Sequence, residues 1–142
     1  MFAPRLSDMR LTHFGHSCLL VEIADQRILL DPGGFSEGFE KLTGLDAIIV
    51  THQHPDHWDA DRLPDLVRAN PGAPLLVEAE TGEILRAKGF DAIDLASGTS
   101  VRLGPTSVDP VGDQHAVIHA DIPRIHNTGV VLRAEGEPSV FH

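Results

Sequence analysis

A layered α/β domain with mixed sheets is the architecture this sequence predicts. The apolar segments run in the order strands, strand–helix, strand–helix, then strands again. The run Ala47-Ile48-Ile49-Val50 is short and uninterrupted, the pattern of a strand buried on both faces. The 142 residues are one domain's worth of chain and can bury roughly 68–70% of their unfolded surface.

Residues 1–9 read as a loose lead-in. Arg10 to Phe14 is the first predicted strand, and Gly15-His16 turns the chain. Ser17 to Ala24 follows as a second strand and Arg27 to Asp31 as a third, joined by a tight connection at Asp25-Gln26. Closely spaced strands of this kind form an antiparallel meander. Asp31-Pro32-Gly33-Gly34 ends it, because proline and glycine together interrupt regular structure. A loop or short helix over Phe35 to Gly44 leads into the apolar strand 46–50. Asp61 is placed to cap a helix running to about Ala69, with Pro64 tolerated in its first turn. Pro74 to Val77 reads as a strand, and Thr81 to Lys88 as a short helix stopped by Gly89. From Phe90 the pattern changes to short strands over 91–95, 99–103, 106–111, 128–134 and 137–141. Between two of these, Gly112 to Asn127 is a long irregular loop, and loops of that length inside a domain are usually functional. It carries His115, His119 and His126.

Eleven Lys+Arg against 21 Asp+Glu give a formal net charge of −10, which argues against a nucleic-acid or anionic-membrane partner. Cys18 is the single cysteine, so neither an intrachain disulfide nor a cysteine-based zinc site can form, and a reducing cytoplasm is expected. No apolar stretch has signal-peptide or membrane-spanning character. No nucleotide-binding glycine loop is present. Nine histidines are the compositional outlier, and they direct attention to one stretch.

That stretch is Thr51-His52-Gln53-His54-Pro55-Asp56-His57, directly behind the apolar strand. Four residues of metal-ligand type fall within six positions, on a loop leaving the carboxyl end of a buried strand. Open α/β sheets place ligand sites at that end. Alternate residues of an extended segment share a face, so His52 and His54 can reach one ion while Asp56 and His57 serve a second. Imidazole and carboxylate donors suit zinc, with manganese or iron as substitutes.

The segment His52-Gln53-His54-Pro55-Asp56-His57 resembles the H-x-H-x-D-H signature of the metallo-β-lactamase fold. The likeness extends through Leu11 to Glu22 with Ile28 to Pro32, and through Gly112 to Asn127, to the metal-dependent hydrolase branch that includes ascorbate-phosphate lactonase. It implies an α/β fold, an αββα sandwich, with the C-terminal part of the second half missing from this single incomplete domain. It implies His52, His54 and His115 as ligands of a first ion, Asp56 and His57 as ligands of a second, and Asp31 as a buttress of the metal loops. The family's metal-bridging aspartate and last histidine would follow Phe141-His142 and are absent from the sequence. Taken bare, His115, His119 and His126 are nearly equivalent candidates, and only the resemblance singles out His115.

Three neutral histidines leave zinc a fourth position for water and bring that water's pKa to about 7. The expected activity is therefore hydrolysis of a small ester, lactone or phosphoester, with Asp56 orienting the nucleophile or acting as general base. The competing expectation is a metal-binding remnant that acts, if at all, through association, including with its own copies. Nuclease chemistry is disfavoured by the acidic charge. Bland roles are expected for the rest. His13 and His16 read as turn histidines bonded to backbone, His142 as a frayed terminus and Cys18 as a buried inert thiol. Trp58 reads as packing beneath the next helix or walling the pocket, Gly33-Gly34 as a plain turn, the simpler account beside a close approach of backbone to the site, and Asp59, Asp61 and Asp65 as a solvated face.

Overall fold

A computed structural model describes residues 9–142, so all of the expected lead-in but Met9 lies outside the described residues. Among the described residues, ten strands form two sheets. The first runs β1 (Arg10–His13), β2 (Leu19–Ile23), β3 (Gln26–Leu30), β4 (Ala47–Val50), β5 (Leu75–Glu78) and β6 (Ala92–Leu95), paired in that order. The meander β1–β2–β3 is antiparallel, whereas β3–β4–β5–β6 are parallel. The second sheet contains β7 (Val101–Leu103), β8 (Thr106–Val111), β9 (Gly129–Ala134) and β10 (Val140–Phe141), all antiparallel. Helices α1 (Leu63–Ala69) and α2 (Ala79–Ala87) follow β4 and β5.

The period of two along each strand explains the layers. In β4, Ile48 and Val50 join Leu63, Leu66 and Leu85 in a core between the first sheet and the helices. Its alternate residues, Ala47 and Ile49, join Val108, Val130 and Leu132 in a second core between the sheets. All four β4 residues are therefore buried, as its uninterrupted apolar run requires. The order of layers is helix, sheet, sheet. Trp58 packs in the helix-side core and donates its indole N–H to the Gln53 carbonyl at 2.9 Å, so it supports the histidine loop from beneath.

Local chemistry moves several expected boundaries. β2 starts at Leu19 because Gly15 and His16 adopt positive φ (84° and 48°) and hold the chain in a turn through Ser17. The β2–β3 connection is the two residues Ala24 and Asp25, both at positive φ, the geometry of a twisted hairpin turn. β10 is shorter than expected because Gly136, at φ 77°, turns the chain after Glu135 and Pro138 has no N–H to pair. Asp61 does not cap α1. Asp59 Oδ1 instead accepts from the Asp61 and Arg62 N–H groups, and its Oδ2 pairs with Arg62 Nε at 2.8 Å, so Asp59 is not part of a free solvated face.

α2 begins two residues before its expected start because a glutamate caps it. The Glu78 carboxylate accepts from Glu80 N at 2.7 Å, Thr81 N at 3.0 Å and Thr81 Oγ1 at 2.9 Å while almost wholly buried. Glu78→Ala is expected to lower stability by about 2 kcal/mol, the upper range for losing a cap. Urea denaturation measures it, and a change below ~0.5 kcal/mol would show that water replaces the cap.

Candidate metal centre

The end of β4 dictates where the histidines go. After Val50 the chain leaves the sheet, and Asp31, one residue beyond β3, receives it. Asp31 Oδ1 accepts from Thr51 N and Oδ2 from Thr51 Oγ1, both at 2.8 Å. Oδ2 also accepts from His57 Nδ1 at 2.7 Å and His142 Nε2 at 3.0 Å. Burial alone would raise this carboxyl's pKa, but the hydrogen bonds from His142 and His57 prevail and lower it to about 2. Asp31 is fully buried at φ 47°, a left-handed conformation that aspartate tolerates better than most residues.

The structure brings His52, His54 and His115 together. One ring nitrogen from each lies within 4.8 Å of the others, and the ring centroids are 4.8–5.0 Å apart. Hydrogen bonding fixes the ring protons. The Asp31 carboxylate can only accept, so the Thr51 hydroxyl donates to it. Thr51 Oγ1 then accepts from His52 Nδ1 at 3.1 Å, which leaves His52 Nε2 with a lone pair. That Nε2 is buried and has no hydrogen-bond partner. His115 is arranged alike: Nδ1–H donates to the Ala116 carbonyl at 2.8 Å, and Nε2 is left free. Burial lowers the His54 pKa, with the neighbouring His115 adding to the effect. Burial, followed by the nearby His57, lowers the His52 pKa to about 4. Both are neutral at pH 7, as ligands must be.

A buried, unpartnered imidazole nitrogen facing two further imidazoles is costly unless an ion meets it. The residues present therefore fit a cation, and the all-nitrogen set suits zinc or iron better than manganese, which prefers oxygen donors.

Asp56 and His57 meet in a second group, and His16 joins them. His16 Nε2 donates to Asp56 Oδ2 at 2.7 Å, and His57 Nε2 lies 3.4 Å from the same oxygen. Burial opposes the Asp56 charge, but the His16 hydrogen bond and the nearby His57 prevail, so the Asp56 pKa is lowered. Burial likewise opposes charge on His57, yet the bond from Asp31 and the charges of Asp31 and Asp56 raise its pKa. The turn carrying His16 is held in place by neighbours: Ser17 Oγ reaches His57 Nδ1 at 3.2 Å, and His13 Nε2 donates to the His16 carbonyl at 2.8 Å.

Several bland readings divide here. His13 does bond backbone, but the His16 side chain bonds a carboxylate. His142 is not frayed: its backbone pairs with Val130 in both directions, and its ring reaches Asp31. Gly33 is no plain turn, since a Cβ there would lie 1.8 Å from the Asp56 carbonyl oxygen. Cys18 is buried, and burial pushes its thiol up to about 12, which makes it inert. His119 and His126 are exposed and outside both groups; His126 Nε2 lies 3.6 Å from Glu80 Oε1.

The shifted His52 has a consequence for stability. A metal-free unfolded chain protonates this histidine near pH 6.5, whereas the folded chain waits until about pH 4. Between those values the unfolded state holds more protons, so His52's contribution to stability falls as pH falls, by on the order of 3 kcal/mol at most. His57 acts in the opposite sense, being stabilising at low pH and less so as pH rises through its raised pKa. Urea denaturation of metal-stripped chain at pH 7 and pH 4.5 is expected to show the loss, and His52→Gln to remove most of it. An unchanged pH slope in that variant would refute the assignment.

Comparison with known proteins identifies the family and the fold. The family described as "Beta-lactamase superfamily domain" matches residues 10–142. Protein Rv0786c of Mycobacterium tuberculosis is 50% identical over 124 residues, covering 87% of this chain and 57% of that protein. A UPF0173 metal-dependent hydrolase of Opitutus terrae is 34% identical over 144 residues, covering 94% and 61%. Among solved structures, Igni18, a metallo hydrolase from the archaeon Ignicoccus hospitalis, superimposes with a TM-score of 0.68 at 26% identity, covering 94% of this chain and 59% of that one. The chain thus spans about three-fifths of the length of the curated relatives it matches. Two sheets with helices on one side, histidines gathered at the end of the parallel strands and a family match over nearly every described residue lead to one conclusion: the chain belongs to the beta-lactamase superfamily in its metallo-β-lactamase fold, and it is similar to proteins named metal-dependent hydrolases.

Proposed function

We propose that this chain carries the metal-binding half of a hydrolase that acts on a small ester, lactone or phosphoester through cation-activated water, with zinc as the resident ion. The observation that carries the reading is the buried, unpartnered Nε2 of His52 among His54 and His115. His52, His54 and His115 hold the first ion, and Asp56 and His57 contribute to a second. An ion there supplies Lewis acidity, polarising a carbonyl or phosphoryl oxygen and acidifying water.

The chain's own residues do the rest. Asp31 and Thr51 keep the His52 proton on Nδ1, and the Ala116 carbonyl keeps the His115 proton on Nδ1, so the inward nitrogens stay basic. Asp56 is the catalytic residue. Its lowered pKa makes it a weak base but a persistent anion, suited to orienting the attacking water through its carboxylate.

Zinc-loaded and metal-stripped chain assayed on a panel of lactones, aryl esters and phosphoesters tests this. Zinc-dependent turnover is expected on at least one class, and Asp56→Ala is expected to lose about 100-fold or more at full first-site occupancy. Tight zinc binding with no hydrolysis of any class would favour the non-enzymatic reading, a metal-binding module acting by association. Unchanged turnover in Asp56→Ala would remove Asp56 from the mechanism.

A further inference from the structure

We propose that His16 is a direct ligand of the second cation, so that His16 Nε2, Asp56 Oδ2 and His57 Nε2 form a three-donor site beside the three-histidine site. The proposal rests on the metal-dependent reading above and adds a third donor to the two, Asp56 and His57, that the sequence analysis gave this site.

The distances carry it. Asp56 Oδ2 lies 2.7 Å from His16 Nε2 and 3.4 Å from His57 Nε2, and the three donor atoms all fall within 4.8 Å of one another. Ligand atoms around tetrahedral zinc, with bonds of 2.0–2.1 Å, sit about 3.3 Å apart. The group therefore has the scale of a coordination shell. Its donor chemistry points the same way. With its Nδ1 bonded to Asp31, His57 turns Nε2 towards the Asp56 carboxylate, 3.4 Å away, so both side chains aim a donor atom into the space that His16 Nε2 also reaches.

The placement of His16 is built into the fold. β2 runs antiparallel to β3, and β3 runs parallel to β4, so the β1–β2 turn lies at the same sheet end as the loop after β4. Gly15 O accepts from Ser36 Oγ at 2.9 Å and from Cys18 N at 3.1 Å, and Ser17 Oγ reaches the Asp56 carbonyl at 3.5 Å. The Phe35 ring packs edge-on to His16 at 5.3 Å and walls its outer side. The His16 side chain is 38% exposed, so water can serve Nδ1–H once Nε2 is used for ligation. The alternative is that His16 only orients Asp56 through their hydrogen bond.

Histidine-labelled (15N) chain loaded with two equivalents of 113Cd²⁺ distinguishes the two. The proposal expects one-bond cadmium–nitrogen coupling at His16 Nε2 together with His57. It also expects His16→Gln to weaken the second equivalent by more than 100-fold while the first, on His52, His54 and His115, is unchanged. Coupling at His57 without coupling at His16 would overturn it and make His16 a positioning residue. Binding of the second equivalent without any response at His16 or His57 would also overturn it. Silence at His52, His54 and His115 as well would instead refute the metal reading of the whole centre.

Discussion

Replacing Gly33 by alanine is expected to lower stability by about 3 kcal/mol or more and to disorganise the second cation group. The reason is contact, not conformational freedom. A Cβ at this position would sit 1.8 Å from the Asp56 carbonyl oxygen, 2.1 Å from its carbon and 2.6 Å from His57 N. All three are backbone atoms, so no rotamer change relieves the clash. Separation of the two segments would also break the bonds between them: Gly34 N to Pro55 O at 2.8 Å, Asp59 N to Pro32 O at 3.0 Å and Arg62 to the Gly33 carbonyl at 3.0 Å. Asp56 and His57 would move with the backbone that carries them. Gly72→Ala is the control, because nothing lies within 4 Å of its Cβ position, and a change within about ±0.5 kcal/mol is expected there. Urea denaturation of metal-free chain and a zinc titration read both effects. Wild-type stability and stoichiometry in Gly33→Ala would mean the segments separate freely and that the close approach is not needed.

The same close approach shows how far the sequence could be read. Strand existence and order were legible because alternation and apolar runs report burial, and β4 is buried on both faces as its four apolar residues demand. The His52–His57 segment was legible because its spacing is local. What was not legible is what sheet pairing decides. Nothing in Gly15-His16 reveals that β3 runs parallel to β4, and only that pairing carries the β1–β2 turn to Asp56. A glycine in a turn and a glycine pressed against another backbone look alike in sequence, so Gly33 could not be told from Gly72. His142 was expected to fray because a chain end has few local partners, yet pairing of β10 with β9 delivers its ring to a buried carboxylate. Glu78 was missed as a cap because the usual capping residues are shorter, and its reach depends on burial at the end of β5.

Asp31→Asn is expected to weaken zinc binding by about 100-fold or more without removing any ligand, an effect at the upper end for residues that support metal ligands. The change is nearly isosteric, and asparagine also tolerates the left-handed backbone at this position. Proton direction is what differs. The Asp31 carboxylate accepts at Oδ2 from Thr51 Oγ1, His57 Nδ1 and His142 Nε2. An amide keeps its oxygen for Thr51 N and presents N–H groups where Oδ2 stood. The Thr51 hydroxyl must then accept from the amide, and its proton turns to His52 Nδ1. The His52 proton moves to Nε2, the atom that now faces His54 and His115 with a lone pair. His57 is driven the same way, because its Nδ1 also meets a donor. Each inward nitrogen becomes an N–H, and ligation must first expel that proton. A stability loss of about 3 kcal/mol is expected alongside, from the broken charge-assisted bonds. Circular dichroism with a chelator-competition titration separates the two effects: a folded variant with wild-type zinc affinity would show that Asp31 only holds the loop, whereas a folded variant with weakened binding would show that it sets the protonation of both histidines.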